Sequence, residues 1–266
     1  GQWGLYSVIV RVYYDPKQKP HVTGRISSPA DGQSIAENPP LAAEMEGEGR
    51  AARVDFLALY EGLDENGDGV YRQWHECYHQ PERGKPAEIA GHVGTVQKAP
   101  YQVKWDTRWV PDQPAGGIEL VARIRDESGV WYVTEPVKRL SLDRPETYVR
   151  MYRAEDVPER FGVRVDQKKS CTFCIPESDD PDMAVEACLS LRTWHGDDKI
   201  HSPLRLNDWS CPIGGKNHHY AHSLHAVPVD VLKHGVNQVE FHSATEDHSL
   251  EVLWPGPALV VRYRKP

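Results

Sequence analysis

The stretch GIELVARIRDESGVWYVTEPVKRLSL, residues 117–142, decides the fold class. It contains strand patterns that are interrupted by a turn at Asp-Glu-Ser-Gly. Three earlier segments, HVTGRISSPADGQSI, RVDFLALYEGL and YQVKWDTRWV, have the same character, and the turns recur at roughly the spacing of a β-sandwich. Long stretches of helical periodicity are absent from the sequence. The sequence therefore predicts an all-β protein with only brief helices.

Three motifs in the first half point to a known class of domain. They are a Pro-x-Asp-Gly entry at 29–32, the strand APYQVKWDT at 99–107 and the strand-turn ARIRDESG at 122–129. Together they resemble the bacterial immunoglobulin-like domains of secreted proteins, which usually serve as spacers or binding modules. The resemblance implies an immunoglobulin-like β-sandwich over residues 25–142.

The second half carries a different pair of motifs, LRLNDWSCPI at 204–213 and VPVDVLKHGVNQVEFHS at 227–243. Their matching positions are Leu206, Asn207, Pro228, Leu232, Lys233, Gly235, Asn237 and Val239. This pattern is similar to galactose-binding-like jelly rolls, as in the sugar-binding domains of many secreted glycoside hydrolases. Asp208 stands where that pattern usually has Gly. The resemblance implies a jelly-roll β-sandwich over residues 148–266, and it speaks to fold more than to ligand.

An isolated strand precedes both sandwiches. Residues 1–14, GQWGLYSVIVRVYY, have large apolar side chains on both faces, which is typical of a strand that is covered on both sides. These side chains are Trp3, Leu5, Tyr6, Val8, Ile9, Val10, Val12 and Tyr14. Residues 15–24 are polar, contain two prolines and are predicted to be a linker.

Three interpretations of this strand compete. It belongs to one of the chain's own sandwiches, it is the last strand of a preceding domain, or it inserts into a neighbouring subunit as a donor strand. The polar linker argues against the first of these interpretations. Of the other two we favour donation, and head-to-tail donation that does not close gives a filament. The leading hypothesis is thus a secreted, non-enzymatic structural protein that polymerises with copies of itself. The alternative is a glycan-binding accessory C-terminal region of a secreted polysaccharide-active enzyme, with the chain, which begins at Gly1, a piece of something longer.

The segment DENGDGVYRQWHE, residues 64–76, resembles the front half of a calcium loop. Side-chain oxygens at alternate positions, followed by a glycine turn and a backbone carbonyl, surround one point. The predicted Ca²⁺ ligands are Asp64, Asn66, Asp68, the carbonyl of Val70 and Glu76. An EF-hand would need Glu at the twelfth position, where His75 stands, so an interstrand calcium loop is predicted instead. A solvated Asp/Asn/Gly turn is the alternative.

Cysteines and aromatic residues give further candidates in the second half. The second half contains four cysteines, Cys171, Cys174, Cys188 and Cys211. They suggest two disulfides or buried free thiols rather than a zinc site, since only one pair of them is close in sequence. Four aromatic residues near predicted loops could pack against sugar rings: Trp194, Trp209, Tyr220 and Trp254. The alternative for each one is a position in the hydrophobic core. Four histidines cluster in the segment KNHHYAHSLH: His218, His219, His222 and His225. They are either metal ligands or ordinary surface residues.

Composition excludes several functions. Lys plus Arg number 31 against 39 for Asp plus Glu, and no basic block occurs, which argues against a nucleic-acid partner. No apolar run approaches the roughly 18 residues of a spanning helix. The usual serine-hydrolase, metalloprotease and phosphate-loop motifs are absent, so we expect a protein without catalysis. The predicted location is extracellular or on the cell surface.

Overall fold

The computed structural model describes residues 21–64, 67–75, 79–82, 85–88, 93–198, 200–215, 218, 220–243 and 248–266. The regular structure of this part of the chain is β-strand, apart from two short 3-10 helices at Pro181–Met183 and Val229–Val231. The predicted all-β fold, built of β-sandwiches, is therefore confirmed. No helix in these ranges is long and apolar enough to cross a membrane. The predicted assembly strand, residues 1–14, lies outside the described residues.

The first half of the chain forms what we call the N-terminal sandwich. Its strands are β1 (Val22–Ser28), β2 (Ser34–Ala36), β3 (Pro40–Gly47), β4 (Ala51–Glu61), β5 (Arg72–His75), β6 (His79–Glu82), β7 (Lys85–Glu88), β8 (Gly94–Val96), β9 (Gln102–Lys104), β10 (Ile118–Asp126), β11 (Trp131–Val133) and β12 (Val137–Asp143). One sheet has the order β1-β3-β9. The other has the order β2-β12-β10-β4-β5, with β8 added to β4 and β11 to β10, while β6 and β7 pair with each other. Strand β1 begins at Val22, so the stretch predicted as a linker ends before residue 24.

The core of the N-terminal sandwich follows from strand alternation. Successive side chains of a strand face opposite sides, so every second residue of β4 and β10 points inward. The inward residues Phe56, Ile118, Leu120 and Ile124 have no exposed surface. Burying each such side chain contributes about 1.5–3 kcal/mol, which is why these two central strands hold the sandwich together.

The second half forms the C-terminal sandwich. Its strands are β13 (Thr147–Arg153), β14 (Gly162–Val163), β15 (Lys168–Ile175), β16 (Ala184–His195), β17 (Ile200–Leu206), β18 (Trp209–Gly214), β19 (Tyr220–Val227), β20 (Gly235–His242), β21 (Leu250–Val252) and β22 (Ala258–Arg264). One sheet has the order β13-β22-β16-β21-β14, and β19 also pairs with β16. The other sheet has the order β15-β20-β17-β18.

Strand β16 has one face in the core and one face turned away from it. Leu189 and Leu191 are fully buried among core residues, and the side chain of Ser190 between them points to the opposite side. Strand β19 pairs with β16 in antiparallel register, so its alternate residues share that opposite side. We call this surface the outer face, and its members on the two strands are Ser190, Arg192, Trp194, Tyr220, His222 and Leu224.

The motif that suggested a jelly roll has a structural role. The side chain of Asn237 is fully buried, and its amide oxygen accepts hydrogen bonds from Asn207 Nδ2 at 2.9 Å and from the Lys233 backbone N–H at 2.9 Å. Its own Nδ2 donates to the carbonyl oxygens of Lys233 at 2.7 Å and Gly235 at 3.1 Å. Asn207 adopts a φ of 50° at its turn, which Asn tolerates better than most residues. The hydrogen bonds of Asn207 and Asn237 therefore stabilise two turns of the sandwich.

The cysteines correct the disulfide prediction, because all four in the described residues are free thiols. Cys171 and Cys174 lie three positions apart on β15, so one side chain points into the core and the other is exposed. Cys188 belongs to a different sheet and faces away from that core. Burial raises the pKa of Cys171 and Cys188 to about 12, as expected for buried free thiols.

A buried arginine anchors the segment between the sandwiches to the N-terminal sandwich. Arg144 follows β12 directly, and its side chain is only 2% exposed. The guanidinium donates to Asp112 Oδ1 at 2.6 Å and to Glu37 Oε1 at 3.2 Å. It also donates to the carbonyl oxygens of Thr107 at 2.5 Å and Val110 at 2.8 Å. The segment between the sandwiches is thus held by one side chain that donates to four acceptors of the N-terminal sandwich.

The ion pairs that join the sandwiches include one between Arg153 of β13 and Glu61 of β4. Arg262 of β22 donates to Glu37 Oε2 at 2.7 Å, and Arg108 donates from Nε to Glu186 Oε2 of β16 at 2.9 Å. The hydrogen bond from Arg262 holds the pKa of Glu37 below its usual value, and Arg108 does the same for the pKa of Glu186. These contacts bring the edge of the N-terminal sandwich against the C-terminal one.

Candidate functional site

A cleft of about 310 Å³ lies where the two sandwiches meet. Small-molecule sites are typically clefts of about 300–1,000 Å³, and interfaces between domains are a common place for them. One wall comes from the N-terminal sandwich and the other from the sheet that carries the outer face. The lining residues that concern us are Tyr60, Gly62, His75, Lys104, Trp105, Asp106, Trp109, Met151, Ser190, His222, Leu224 and Val260.

The N-terminal wall is built from stacked rings. Tyr60 and His75 lie on the paired strands β4 and β5, and their rings stack with centroids 3.7 Å apart. Trp105 lies beside them at 5.7 Å from the Tyr60 ring. A Cβ atom on Gly62 would come within 2.8 Å of both Tyr60 and His75, so only glycine fits at this point. All three rings are less than a tenth exposed, so packing holds them in place.

Trp109 connects this wall to the C-terminal sandwich. It packs against a small apolar cluster that includes Cys188 and Val260 of the outer sheet. The guanidinium of Arg108 lies 5.1 Å from the centroid of the Trp109 ring and is itself paired with Glu186. The indole is therefore held between the two sandwiches while one edge lines the cleft.

The opposite wall supplies polar groups. Ser190 Oγ and His222 Nε2 are 2.8 Å apart, a hydrogen bond in which the direction depends on the histidine tautomer. Leu224, the cross-strand partner of Ser190, is 51% exposed although it lines the cleft. The exposed side chains of Lys104 and Asp106 stand at the rim of the other wall. The cleft thus combines aromatic rings with a few hydrogen-bonding side chains, which include one cation, Lys104, and one anion, Asp106.

Only some of the aromatic residues predicted to contact glycan come together. Trp194 and Tyr220 are direct cross-strand partners at the end of the outer face. Trp209 packs partly against the core of the C-terminal sandwich. Trp254 is 61% exposed and lies against Gly67, whose Cβ would sit 3.0 Å from the Trp254 carbonyl oxygen. The four predicted residues therefore form one pair and two separate positions.

The predicted histidine cluster is distributed over different surfaces. His218 contacts Trp194 edge to face at 5.3 Å, and His222 lies in the cleft. His225 shares a hydrogen bond with Ser223 Oγ, 2.9 Å away, and approaches Cys211 Sγ at 3.7 Å. Position 219 lies outside the described residues. Within the ranges that the structure describes, no three His, Cys, Asp or Glu side chains form a metal-binding group.

The predicted calcium loop is closed by hydrogen bonds to one carboxylate. Asp64 is 1% exposed, and its two oxygens accept backbone N–H groups from Gly67 at 2.8 Å, Asp68 at 3.3 Å and Gly69 at 2.8 Å. Asp68 Oδ1 accepts the N–H of Val70 at 2.8 Å. Two of the predicted ligands, at positions 66 and 76, lie outside the described residues. The calcium site stays a prediction.

Sequence reasoning missed the rings of the cleft. Trp105 and Trp109 lie in the segment WDTRW, residues 105–109, which we assigned to a strand motif and not to a site. Two tryptophans in five residues with an Asp between them were the available signal. Tyr60 and His75 carried no such signal, because they meet only through the pairing of β4 with β5.

Comparisons with known proteins find no matching family model and no similar curated sequence. Among solved structures, a β-porphyranase of glycoside hydrolase family 86 from the gut bacterium Bacteroides plebeius is similar over 94% of this chain and 38% of its own, with 9% identity and a TM-score of 0.36. A GH86 protein in complex with neoagarooctaose is similar over 92% of this chain and 34% of its own, with 11% identity and a TM-score of 0.34. Fibronectin(III)-like modules of CbhA from Clostridium thermocellum are similar over 92% of this chain and 86% of their own, with 12% identity and a TM-score of 0.27. The chain thus spans little more than a third of the length of the first two.

Proposed function

We propose that this chain is a non-catalytic glycan-recognition region that acts in the extracellular space, as an accessory part of a polysaccharide-active protein. The observation that carries the proposal is the cleft between the two sandwiches, with stacked rings on one wall and hydrogen-bonding side chains on the other.

The chemistry of the cleft suits a sugar ring. A pyranose has C–H faces that pack on aromatic surfaces and hydroxyl groups that need donors and acceptors around the edge. The partly accessible Trp109 supplies the main surface, and the buried rings of Tyr60 and Trp105 back the wall beside it. Asp106 supplies an acceptor, and Lys104 a donor, at the rim. Because the rings are held by packing before any ligand arrives, little conformational entropy is lost on binding.

The same lining argues for binding without hydrolysis. Glycoside hydrolases generally use two carboxyl groups that flank the scissile bond. Among the described residues that line this cleft, Asp106 is the only carboxylate. We therefore expect a bound polysaccharide to keep its chain length during prolonged incubation with the protein, as measured by the release of reducing ends.

The test begins with a glycan array and continues with calorimetric titration of the best ligand. We expect Trp109→Ala and Asp106→Ala each to raise the Kd about tenfold, because each removes about 1–2 kcal/mol of contact with the sugar. Asp106 is exposed, so its replacement leaves the fold intact even if the Trp109 variant is unstable. Trp131→Ala is the matched control, since Trp131 is 39% exposed on β11 and does not line the cleft. A native chain that binds no arrayed glycan, or cleft variants that bind as tightly as the control, would contradict the proposal.

Self-assembly through residues 1–14 was the leading hypothesis from the sequence. Those residues lie outside the described part of the chain. The hypothesis therefore stays a prediction, and its test is given in the Discussion.

A further inference from the structure

We infer that the binding surface continues out of the cleft along β16 and β19 to Trp194, so that the ligand is an internal stretch of a glycan chain rather than a single terminal sugar. This inference rests on the proposed function, and it names the form in which the glycan is bound.

The register of the two strands carries the first step. Ser190 pairs with Leu224, Arg192 with His222, and Trp194 with Tyr220. These pairs are consecutive on the outer face, because the residues between them on β16 are buried on the opposite side of the strand. The four steps along β16 from Ser190 to Trp194 span about 13 Å at roughly 3.3 Å per residue. One continuous surface therefore leads from the cleft to a second pair of aromatic rings.

The second step is the way in which Trp194 is held. His218 contacts it edge to face at 5.3 Å and His248 does so at 6.1 Å, while the two imidazoles are 4.9 Å from each other. These histidines come from two different loops, so the indole is braced from both. Trp194 is nevertheless only half-buried, and Tyr220 beside it is also partly accessible. A fixed, accessible aromatic pair is the kind of platform on which a sugar face packs.

The third step is the polar strip between the two aromatic sites. Arg192 stands between Ser190 and Trp194 on β16, and its backbone carbonyl accepts the N–H of Leu253 at 3.0 Å. The polar groups of this strip are the half-buried guanidinium of Arg192 and, across the strand, the imidazole of His222, whose Nε2 shares a hydrogen bond with Ser190. Hydroxyl groups of the units between the two aromatic sites would meet these polar side chains. The order along the surface is thus aromatic, polar, aromatic, as a chain of several sugar units requires.

The experiment is a length series on the native chain and on Trp194→Ala. Cello-, galacto- and agaro-oligosaccharides of two to eight units are titrated by calorimetry. For the series that binds, we expect the native Kd to fall with length until the ligand spans the face. Trp194→Ala should weaken binding of the longest ligands about tenfold, and it should leave the Kd of the shortest bound ligand unchanged. Equal binding of the shortest ligand also shows that the variant is folded.

Three controls keep this inference separate from the proposed function. Trp131→Ala should match the native chain at every length. Long ligands whose reducing ends are converted to alditols should bind as the unmodified ones do, because an internal stretch is recognised. A native Kd that is independent of length, together with native-like binding by Trp194→Ala, would overturn the inference while the cleft proposal stands. A native chain that binds no glycan at all would overturn both.

Discussion

Replacing Arg144 by Met removes the side chain that anchors the segment between the two sandwiches. The methionine fills much of the same volume but removes every donor of a side chain that is 2% exposed. The carboxylates of Asp112 and Glu37 then lose a close cation, and the carbonyl oxygens of Thr107 and Val110 each lose a donor. Breaking a buried ion pair by removing one partner typically costs about 3–5 kcal/mol. We expect the free energy of unfolding to fall by about that amount.

The assay is urea unfolding followed by tryptophan fluorescence, supported by a thermal scan. A loss of about 4 kcal/mol corresponds to a fall in Tm on the order of 10 °C for a chain of this size. Arg144→Lys keeps the charge but not the planar fork, so it should lose less than the Met variant does. Arg139→Ala is the control, since Arg139 is 71% exposed and pairs with the exposed Asp31, and such pairs contribute little. A loss below about 1 kcal/mol for Arg144→Met, or one no larger than that of the control, would refute the reasoning.

The junction also predicts a dependence on pH. The pKa of Glu37 is lowered in the folded state, chiefly by the hydrogen bond from Arg262. A carboxyl group whose pKa is depressed by folding contributes its stability above its unfolded pKa, and loses it as the pH falls through the folded value. Native stability should therefore decline below about pH 4.5, and Glu37→Gln should show a shallower decline. Identical pH profiles of Tm for the two proteins would show that Glu37 is not responsible.

Three further predictions address the remaining features. Asn237→Ala should cost about 3 kcal/mol in urea unfolding, because it removes four hydrogen bonds of a fully buried side chain, and native-like stability would contradict this role. Ca²⁺ at about 10 mM should raise the Tm by a few degrees if a millimolar site exists, an effect that Asp68→Asn should abolish, and an unchanged native Tm would exclude the site. Polymers of the full chain, imaged by negative stain, should vanish when residues 1–14 are deleted, whereas monomers from both forms would remove the self-assembly hypothesis.

The sequence predicts the fold class well because strand alternation is a local signal. Phe56 and Leu120 occupy core positions that their own neighbours in sequence already imply. The motif around Asn207 and Asn237 was also readable, since it fastens turns within a single sandwich. Local patterns therefore identify what holds each sandwich together.

The cleft was not predictable in the same way. Tyr60 and Ser190 line it from separate sandwiches, and no local pattern relates residues so far apart in sequence. The disulfide prediction failed for a related reason. Cysteine counts and spacings do not state which face of a strand a thiol occupies, and Cys171 and Cys174 point to opposite faces. The sequence does not show which residues of the two sandwiches lie opposite each other in the folded protein.

The origin of the two walls from separate sandwiches has a thermodynamic consequence. A ligand that touches both walls acts as a cross-link, so its binding free energy is added to the contacts that hold the sandwiches together. If either sandwich unfolds, half of the binding surface is lost and the ligand dissociates. In calorimetry, two overlapping melting transitions of the free protein would merge into one sharper transition when the cleft is filled. The occupant of the cleft would thereby make the two halves of the chain a single cooperative unit.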